Sequence, residues 1–141
     1  MTTATSTAKA SVASGLITAG VDVGASAVKI AVLRIGDDQD VSVLALRADR
    51  IRRRDLRSVI REGYALALEE ATVAPEDVAY AASTGEGEMV DFRRGHFYGM
   101  TAHARGAIFL LPEVRAVVDV GALHARAMRI DERSRVLGYR M

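Results

Sequence analysis

Asp22, Gly24, Ser26 and Lys29 fall together in AGVDVGASAVKIAVLR, residues 19–34, and their types suit one chemistry. The small residues Gly24, Ala25, Ser26 and Ala27 leave backbone N–H groups unshielded, so a tight turn aims them at an anionic oxygen. Ser26 adds a hydroxyl and Lys29 a movable cation. Asp22 has the wrong sign for a phosphate but suits Mg²⁺, held through water, because that ion keeps much of its hydration and bridges phosphate oxygens. Asp22 is therefore a candidate catalytic and metal residue, and Gly24, Ala25, Ser26 and Lys29 are candidate cofactor contacts. A β-turn using Asp and Gly for turn propensity alone is the competing reading of a single copy.

The chain contains a second copy. In AVVDVGALHARAMRID, residues 116–131, an apolar run again meets an acid, a glycine, a small residue and another apolar run. Repetition favours chemistry over turn propensity, so Asp119 becomes the second candidate catalytic residue and Gly121 a further cofactor contact. A third stretch, STGEGE, places Ser83, Thr84 and Gly85 directly after an apolar run. It reads as a nucleotide-facing loop, with a surface turn as the alternative.

These residues need strands to hold them. Apolar alternation predicts strands over 18–23, 28–35 and 41–48, the last two joined by the turn GDDQD, which makes an antiparallel meander. The period then changes: Leu56, Val59, Ile60, Tyr64, Ala67, Leu68 and Ala71 share one helical face, with Asp55 as N-cap and the helix ending before Pro75. A fourth strand over 78–82 is expected to lie parallel to one of the first three, because it arrives by a helical crossover. A second helix is expected over 101–110, stopped by Pro112, and a new hairpin opens at 115. A Rossmann unit would need its glycines to lead from a strand into a helix. Here the glycine leads into another strand, and no GK[ST] follows as a P-loop would require.

Composition narrows the class. The 141 residues carry 19 basic and 18 acidic side chains and are half hydrophobic, enough for one domain with a core. The net charge of +1 gives no reason to expect a nucleic-acid partner. No apolar run is long enough to span a bilayer, and the start, MTTATSTAKASVASG, has neither a basic n-region nor an apolar h-region. Residues 1–17 read as a disordered leader on a cytoplasmic protein. Lys29 is the only lysine beyond Lys9, all other basic residues being arginine; a solvent-facing strand lysine is the plain alternative. Five arginines in residues 50–57 stand at a helix start, where the dipole disfavours cations, and read as a solvated face before a docking surface.

The order strand, strand, strand, helix, strand, helix, with an acid ending the first strand, is α/β and ribonuclease-H-like. The paired turns resemble the actin, Hsp70 and sugar-kinase superfamily, in which two such domains clamp a nucleotide. More closely, GVDVGASAVKIAVL, STGEGE, AHARGAIFLLPEVRAVVDVG and ALHARAMRIDERSRVLGYRM are similar to the ATPase components of benzoyl-CoA reductase and the activators of 2-hydroxyacyl-CoA dehydratases. The pattern is more like reductase subunits of the D type, because the activators' common DIGGQD is DVGALH here. The resemblance covers residue 18 to the end.

It implies a first ATPase domain over 18–112 and, over 113–141, the first hairpin of a truncated second one. It implies ATP and Mg²⁺ as cofactors and hydrolysis coupled to electron transfer from a four-iron cluster to an acyl-CoA reductase in anaerobic aromatic degradation. The partners would be a homologous ATPase subunit, the reductase subunits and a reduced ferredoxin as donor. The resemblance also implies that the cluster's first ligand cysteine follows shortly after the position of Met141, which agrees with the lack of cysteine in these residues. By the same resemblance, Ala122 replaces a second glycine, Leu123 and His124 replace Gln and Asp, and Gly99 and Ala102 stand where activators carry an acid and a cysteine. His124 reads as a paired or exposed histidine rather than a phosphate contact; His103 and Arg105 read as helix-packing or partner-facing. Three other functions stay open: a dehydratase activator, a sugar or carboxylate kinase lacking its second domain and base, and a non-catalytic fragment. Without a partner sheet, Val117, Val118, Val120, Met128 and Ile130 are expected to fold back or stay exposed.

Overall fold

The computed structural model describes residues 14–141. Most of the expected leader lies outside the described residues, and its last two positions already belong to a strand. β1 (Leu16–Val23), β2 (Ala27–Ile35) and β3 (Val41–Arg50) form the antiparallel meander that the alternation predicts. Successive side chains point to opposite faces, so Val21, Val23, Val28, Ile30 and Val32 share one side. That side is closed by α1 (Leu56–Ala71), through Val59, Ile60, Ala67 and Leu68.

The ends of α1 follow from local chemistry. Asp55 Oδ2 accepts from the Ser58 amide and hydroxyl, both at 2.9 Å, satisfying first-turn donors. Thr72, in the left-handed region at φ 55°, turns the chain out. The crossover then delivers β4 (Val78–Gly85) parallel to β1. β4 runs beyond the expected 78–82, so Ser83, Thr84 and Gly85 lie in a strand, not a loop. A two-residue strand, β5 (Gly95–His96), too short to show a pattern, completes a sheet of order β3-β2-β1-β4-β5.

α2 (Gly99–Leu110) follows, and then β6 (Ala116–Val120), β7 (Ala125–Ile130) and β8 (Val136–Arg140) build a separate antiparallel sheet. The expected single hairpin thus gains a third strand. Asp131 is the reason: its Oδ1 accepts from the amides of Arg133 and Arg135 at 3.0 and 2.8 Å, and Ser134 takes φ 61°. Together they fold β8 back onto β7. α2 packs on this second sheet, Ala104 meeting Met128 and Ile130, with Met100, Ile108, Val117 and Val136 around them. Met128, Ile130 and Val117 therefore do have a cover, while Val118 and Val120 stay exposed.

Candidate functional site

The two Asp-x-Gly turns close alike. The Gly24 amide donates to the Ala27 carbonyl at 3.0 Å, and the Gly121 amide to the His124 carbonyl at 2.9 Å. Register then places a cation across from each acid: Lys29 faces Asp22 and Arg126 faces Asp119. Both pairs are made, Lys29 Nζ to Asp22 Oδ2 at 3.0 Å and Arg126 Nη2 to Asp119 Oδ2 at 2.8 Å. Arg126 is the residue that sequence reasoning missed. The signal was present, since each cation follows its acid by seven residues. One expectation is narrowed: the Gly24 N–H is used in closing its own turn, leaving exposed Ala25 and Ser26 as the tip.

The two pairs differ in how they are held. The Lys29 side chain is 61% exposed, whereas that of Arg126 is 17% exposed. Asp119 also has a third partner, because His103 on α2 places Nδ1 2.9 Å from the same Oδ2. Partial burial pushes the Asp119 carboxyl up. The Arg126 hydrogen bond and the charges of His103 and Arg126 outweigh that and hold it below the usual carboxylate range. The first turn is therefore open and its lysine exposed; the second is braced against a helix. His103 thus ties α2 to the second turn, while Arg105 is exposed, with Nη1 lying 3.3 Å from Ser134 Oγ. His124 is exposed and contributes only its carbonyl.

Gly85 joins the first turn to β4. Its φ is 67°, and a Cβ there would stand 2.3 Å from the Val23 carbonyl oxygen and 3.2 Å from Asp22 Oδ1. The following amide, of Glu86, donates to that Val23 carbonyl at 2.9 Å. Only glycine fits this crossing, so Gly85 positions the acid by letting two chain segments touch. Ser83 and Thr84 point to opposite sides of β4. Ser83, 2% exposed, shares a 2.9 Å hydrogen bond with His96 Nδ1, and its hydroxyl is thereby occupied. Thr84 lies across from Asp22 in the parallel register, and its buried hydroxyl has no partner.

A groove of about 1220 Å³ runs along the face of the first sheet away from α1. Gly20, Asp22, Lys29 and Thr84 line one wall; Thr101 and Arg105 line the other. Asp119 and Gly121 are not on its walls. Gly99 links the two turns: a Cβ there would lie 3.4 Å from Arg126 Nη2 and 3.9 Å from Thr84 Oγ1. The arginine-rich loop adjoins the first turn, the Ile51 amide donating to the Ser26 carbonyl at 2.9 Å. Its arginines 50 and 52–54 are exposed, as a solvated face requires.

Among the described residues no three His, Cys, Asp or Glu side chains converge on a metal position. Asp22, a lone carboxylate on an open groove, fits an ion that brings its own water and phosphate ligands, as Mg²⁺ does. An iron–sulfur cluster does not fit these residues, which include no cysteine. No helix among the described residues is long and apolar enough to cross a membrane.

Comparison with known proteins agrees with this fold. The BadF/BadG/BcrA/BcrD ATPase family matches over residues 19–141. The D-type component of benzoyl-CoA reductase of Thauera aromatica is 54% identical over 125 residues, covering 89% of this chain and 44% of that protein. The activator of lactoyl-CoA dehydratase of Anaerotignum propionicum is 28% identical, over 84% of this chain and 44% of that one. The chain thus spans less than half the length of the curated relatives it matches. In fold it resembles component A of (R)-2-hydroxyglutaryl-CoA dehydratase of Acidaminococcus fermentans, with TM-score 0.78 and 24% identity over 88% of this chain and 46% of that one. It also resembles the 2-hydroxyisocaproyl-CoA dehydratase activator of Clostridium difficile, solved with bound ADPNP, with TM-score 0.76 and 24% identity over 88% and 44%.

Proposed function

Because the chain belongs to the BadF/BadG/BcrA/BcrD ATPase family, we propose that its two Asp-x-Gly turns grip the phosphates of ATP and that their acids assist its hydrolysis. One observation carries this reading: the acid–cation pair occurs twice with the same spacing, the same turn closure and the same cross-strand register. Turn propensity explains one Asp-x-Gly; it does not explain a cation opposite each acid. That a protein of the same fold was solved with ADPNP supports a nucleotide over other anions.

The residues divide the work by how tightly each is held. Lys29, exposed at the turn, is placed to turn from Asp22 to a phosphate oxygen, and Asp22 would hold Mg²⁺ through water. That ion, when bound, offsets charge on the phosphate oxygens. Ala25 and Ser26 present the turn tip, Gly24 and Gly121 let the turns approach the ligand, and Thr84 adds a hydroxyl. Asp119, braced by His103 and Arg126, keeps one oxygen, Oδ1, outside that brace to orient a water. Ser83 and Gly85 shape the strand end.

In the whole protein we place residues 113–141 at the start of a second unit of the same design. The 54% identity to a benzoyl-CoA reductase component supports a role in driving low-potential electron transfer to an acyl-CoA reductase. A partner ATPase subunit, the reductase subunits and a ferredoxin donor would complete the system, in the cytoplasm. A four-iron cluster would take its cysteines from outside these residues. The second reading is a dehydratase activator, favoured by the 28% identity to one.

The test is made on the complete subunit with its partners. Lys29→Ala should weaken ATP binding at least tenfold with the fold intact, since a charge-assisted contact is lost from an exposed position. Asp22→Asn should still bind ATP but lose ATP-driven reduction of an aromatic acyl-CoA. Equal ATP affinity in Lys29→Ala, or normal turnover in Asp22→Asn, contradicts the reading. ATP-driven activation of a 2-hydroxyacyl-CoA dehydratase alone would favour the second.

A further inference from the structure

We propose that the loop carrying Arg50, Arg52, Arg53 and Arg54 docks an acidic protein partner, one that presents several Asp and Glu carboxylates together. The loop concentrates charge that the rest of the molecule does not share. Residues 50–57, RIRRRDLR, hold five arginines and one acid, whereas the whole chain is only +1, so the remainder is net negative. The four arginines are exposed, and they alone line a hollow of about 720 Å³.

The neighbouring acids do not neutralise them. Asp49 is held by Arg47, whose Nε lies 2.8 Å from its Oδ2, and Asp55 accepts from the Ser58 amide and hydroxyl. Among the described residues Arg50, Arg52 and Arg53 form no ion pair, and Arg54 only approaches Glu62, at 4.0 Å between two exposed side chains. Because Asp55 caps α1, the helix end is not the binding group; the guanidinium groups are.

The backbone is arranged to present them. Arg52 and Arg53 form the tip of a turn closed by the Arg54 amide on the Ile51 carbonyl at 3.0 Å, and Arg52 takes φ 52°. Turns place glycine or asparagine in that region at lower cost. The cluster also stands ahead of α1, where the helix dipole opposes cations. A loop that only joins β3 to α1 needs neither feature, and both are retained here for what the arginines bind.

A guanidinium fork matches a carboxylate through two parallel hydrogen bonds. One exposed ion pair contributes little, so four arginines suit a run of carboxylates rather than a single one. A nucleic acid fits less well, since residues 50–57 offer no aromatic side chain for a base and the net-negative remainder repels further phosphates. A protein segment can meet the loop alone. The Ile51 amide donates to the Ser26 carbonyl at 2.9 Å, which sets the docked partner beside the tip of the first turn.

The test has two parts. In the first, a polyglutamate peptide is titrated into the ¹⁵N-labelled 141-residue chain. Saturable shifts at the amides of residues 50–57 are expected, and Arg52→Gln with Arg53→Gln should weaken binding about tenfold. Arg129→Gln, at an exposed position on β7, should leave the affinity unchanged. Equal weakening by Arg129→Gln, or tighter binding of a short DNA duplex at the same amides, overturns the docking surface. In the second part, hydrogen exchange across residues 50–57 is compared in the complete subunit alone and assembled with its partners. Slower exchange on assembly, reversed in the double glutamine variant, is expected. Unchanged exchange overturns the docking surface, as does protection of the subunit alone that grows with its concentration, which would put a second copy in the hollow. Docking is independent of the nucleotide reading: the double variant should keep its ADPNP shifts at residues 24–26, and losing them would assign the arginines to the nucleotide instead.

Discussion

Gly85 carries the tightest steric demand next to the first turn. With φ at 67° and a carbonyl oxygen 2.3 Å from any Cβ, Gly85→Ala must push β4 away from β1. It should destabilise the chain by about 2–4 kcal/mol, read by urea denaturation, and shift the amide resonances of Asp22 and Val23. A change under about 0.5 kcal/mol would show that the crossing is loosely packed. Asp22, Gly24 and Lys29 were legible in the sequence, because an acid and a lysine flanking a small-residue turn are unusual inside apolar strands. Arg126 was harder to see, since one arginine among many carries little signal until register sets it opposite Asp119. Ser83 and Thr84 were legible as candidates but not as a pair divided by strand alternation, with one hydroxyl bound to His96 and the other unpartnered.

At the scale of elements, α1 was legible because its cap, apolar face and stop agree. Ile60→Ala, at a position 1% exposed, should cost about 2–5 kcal/mol in the same denaturation assay. α2 was legible as a helix, but not the sheet it serves, because its packing depends on partners from β6 to β8 far along the chain. β8 was missed since its start depends on the Asp131 turn rather than on alternation. The Arg126 hydrogen bond to Asp119, with His103 beside it, gives the second turn and α2 a pH dependence with a definite sign. The Asp119 carboxyl is depressed in the folded chain, so near its ordinary value the folded state binds fewer protons than the unfolded one. This stabilisation is fully present at neutral pH and is lost as pH falls through the folded value. Melting temperatures measured from pH 7 down to pH 3 should fall more steeply for the wild type than for Asp119→Asn. Parallel curves would mean that the Asp119 charge contributes nothing to stability.

The molecule as a whole repeats one motif with opposite covers. In AGVDVG, Val21 and Val23 are buried beneath α1; in AVVDVG, Val118 and Val120 are 71% and 77% exposed. Conversely, Val117 packs under α2, while its counterpart Gly20 faces the open groove. Val118→Ser together with Val120→Ser should therefore leave the melting temperature of the 141-residue chain within about 2 °C, whereas Met128→Ala, at a position 2% exposed, should cost about 2–5 kcal/mol. A large loss from the double serine variant would show that this face is covered. The ribonuclease-H-like strand order was readable because each element follows its neighbour, but which face of the second sheet is dry was not, since alternation marks two faces without saying which one meets a helix.

The most direct measurement is a titration of the ¹⁵N-labelled chain with ADPNP and Mg²⁺, followed amide by amide. If the two turns together hold the phosphates, residues 24–26 and 121–123 shift along one saturation curve, and Lys29→Ala moves that curve at least tenfold towards higher ligand concentration. No saturable shift at either turn, or shifts restricted to residues 50–54 that Lys29→Ala leaves unchanged, would contradict it.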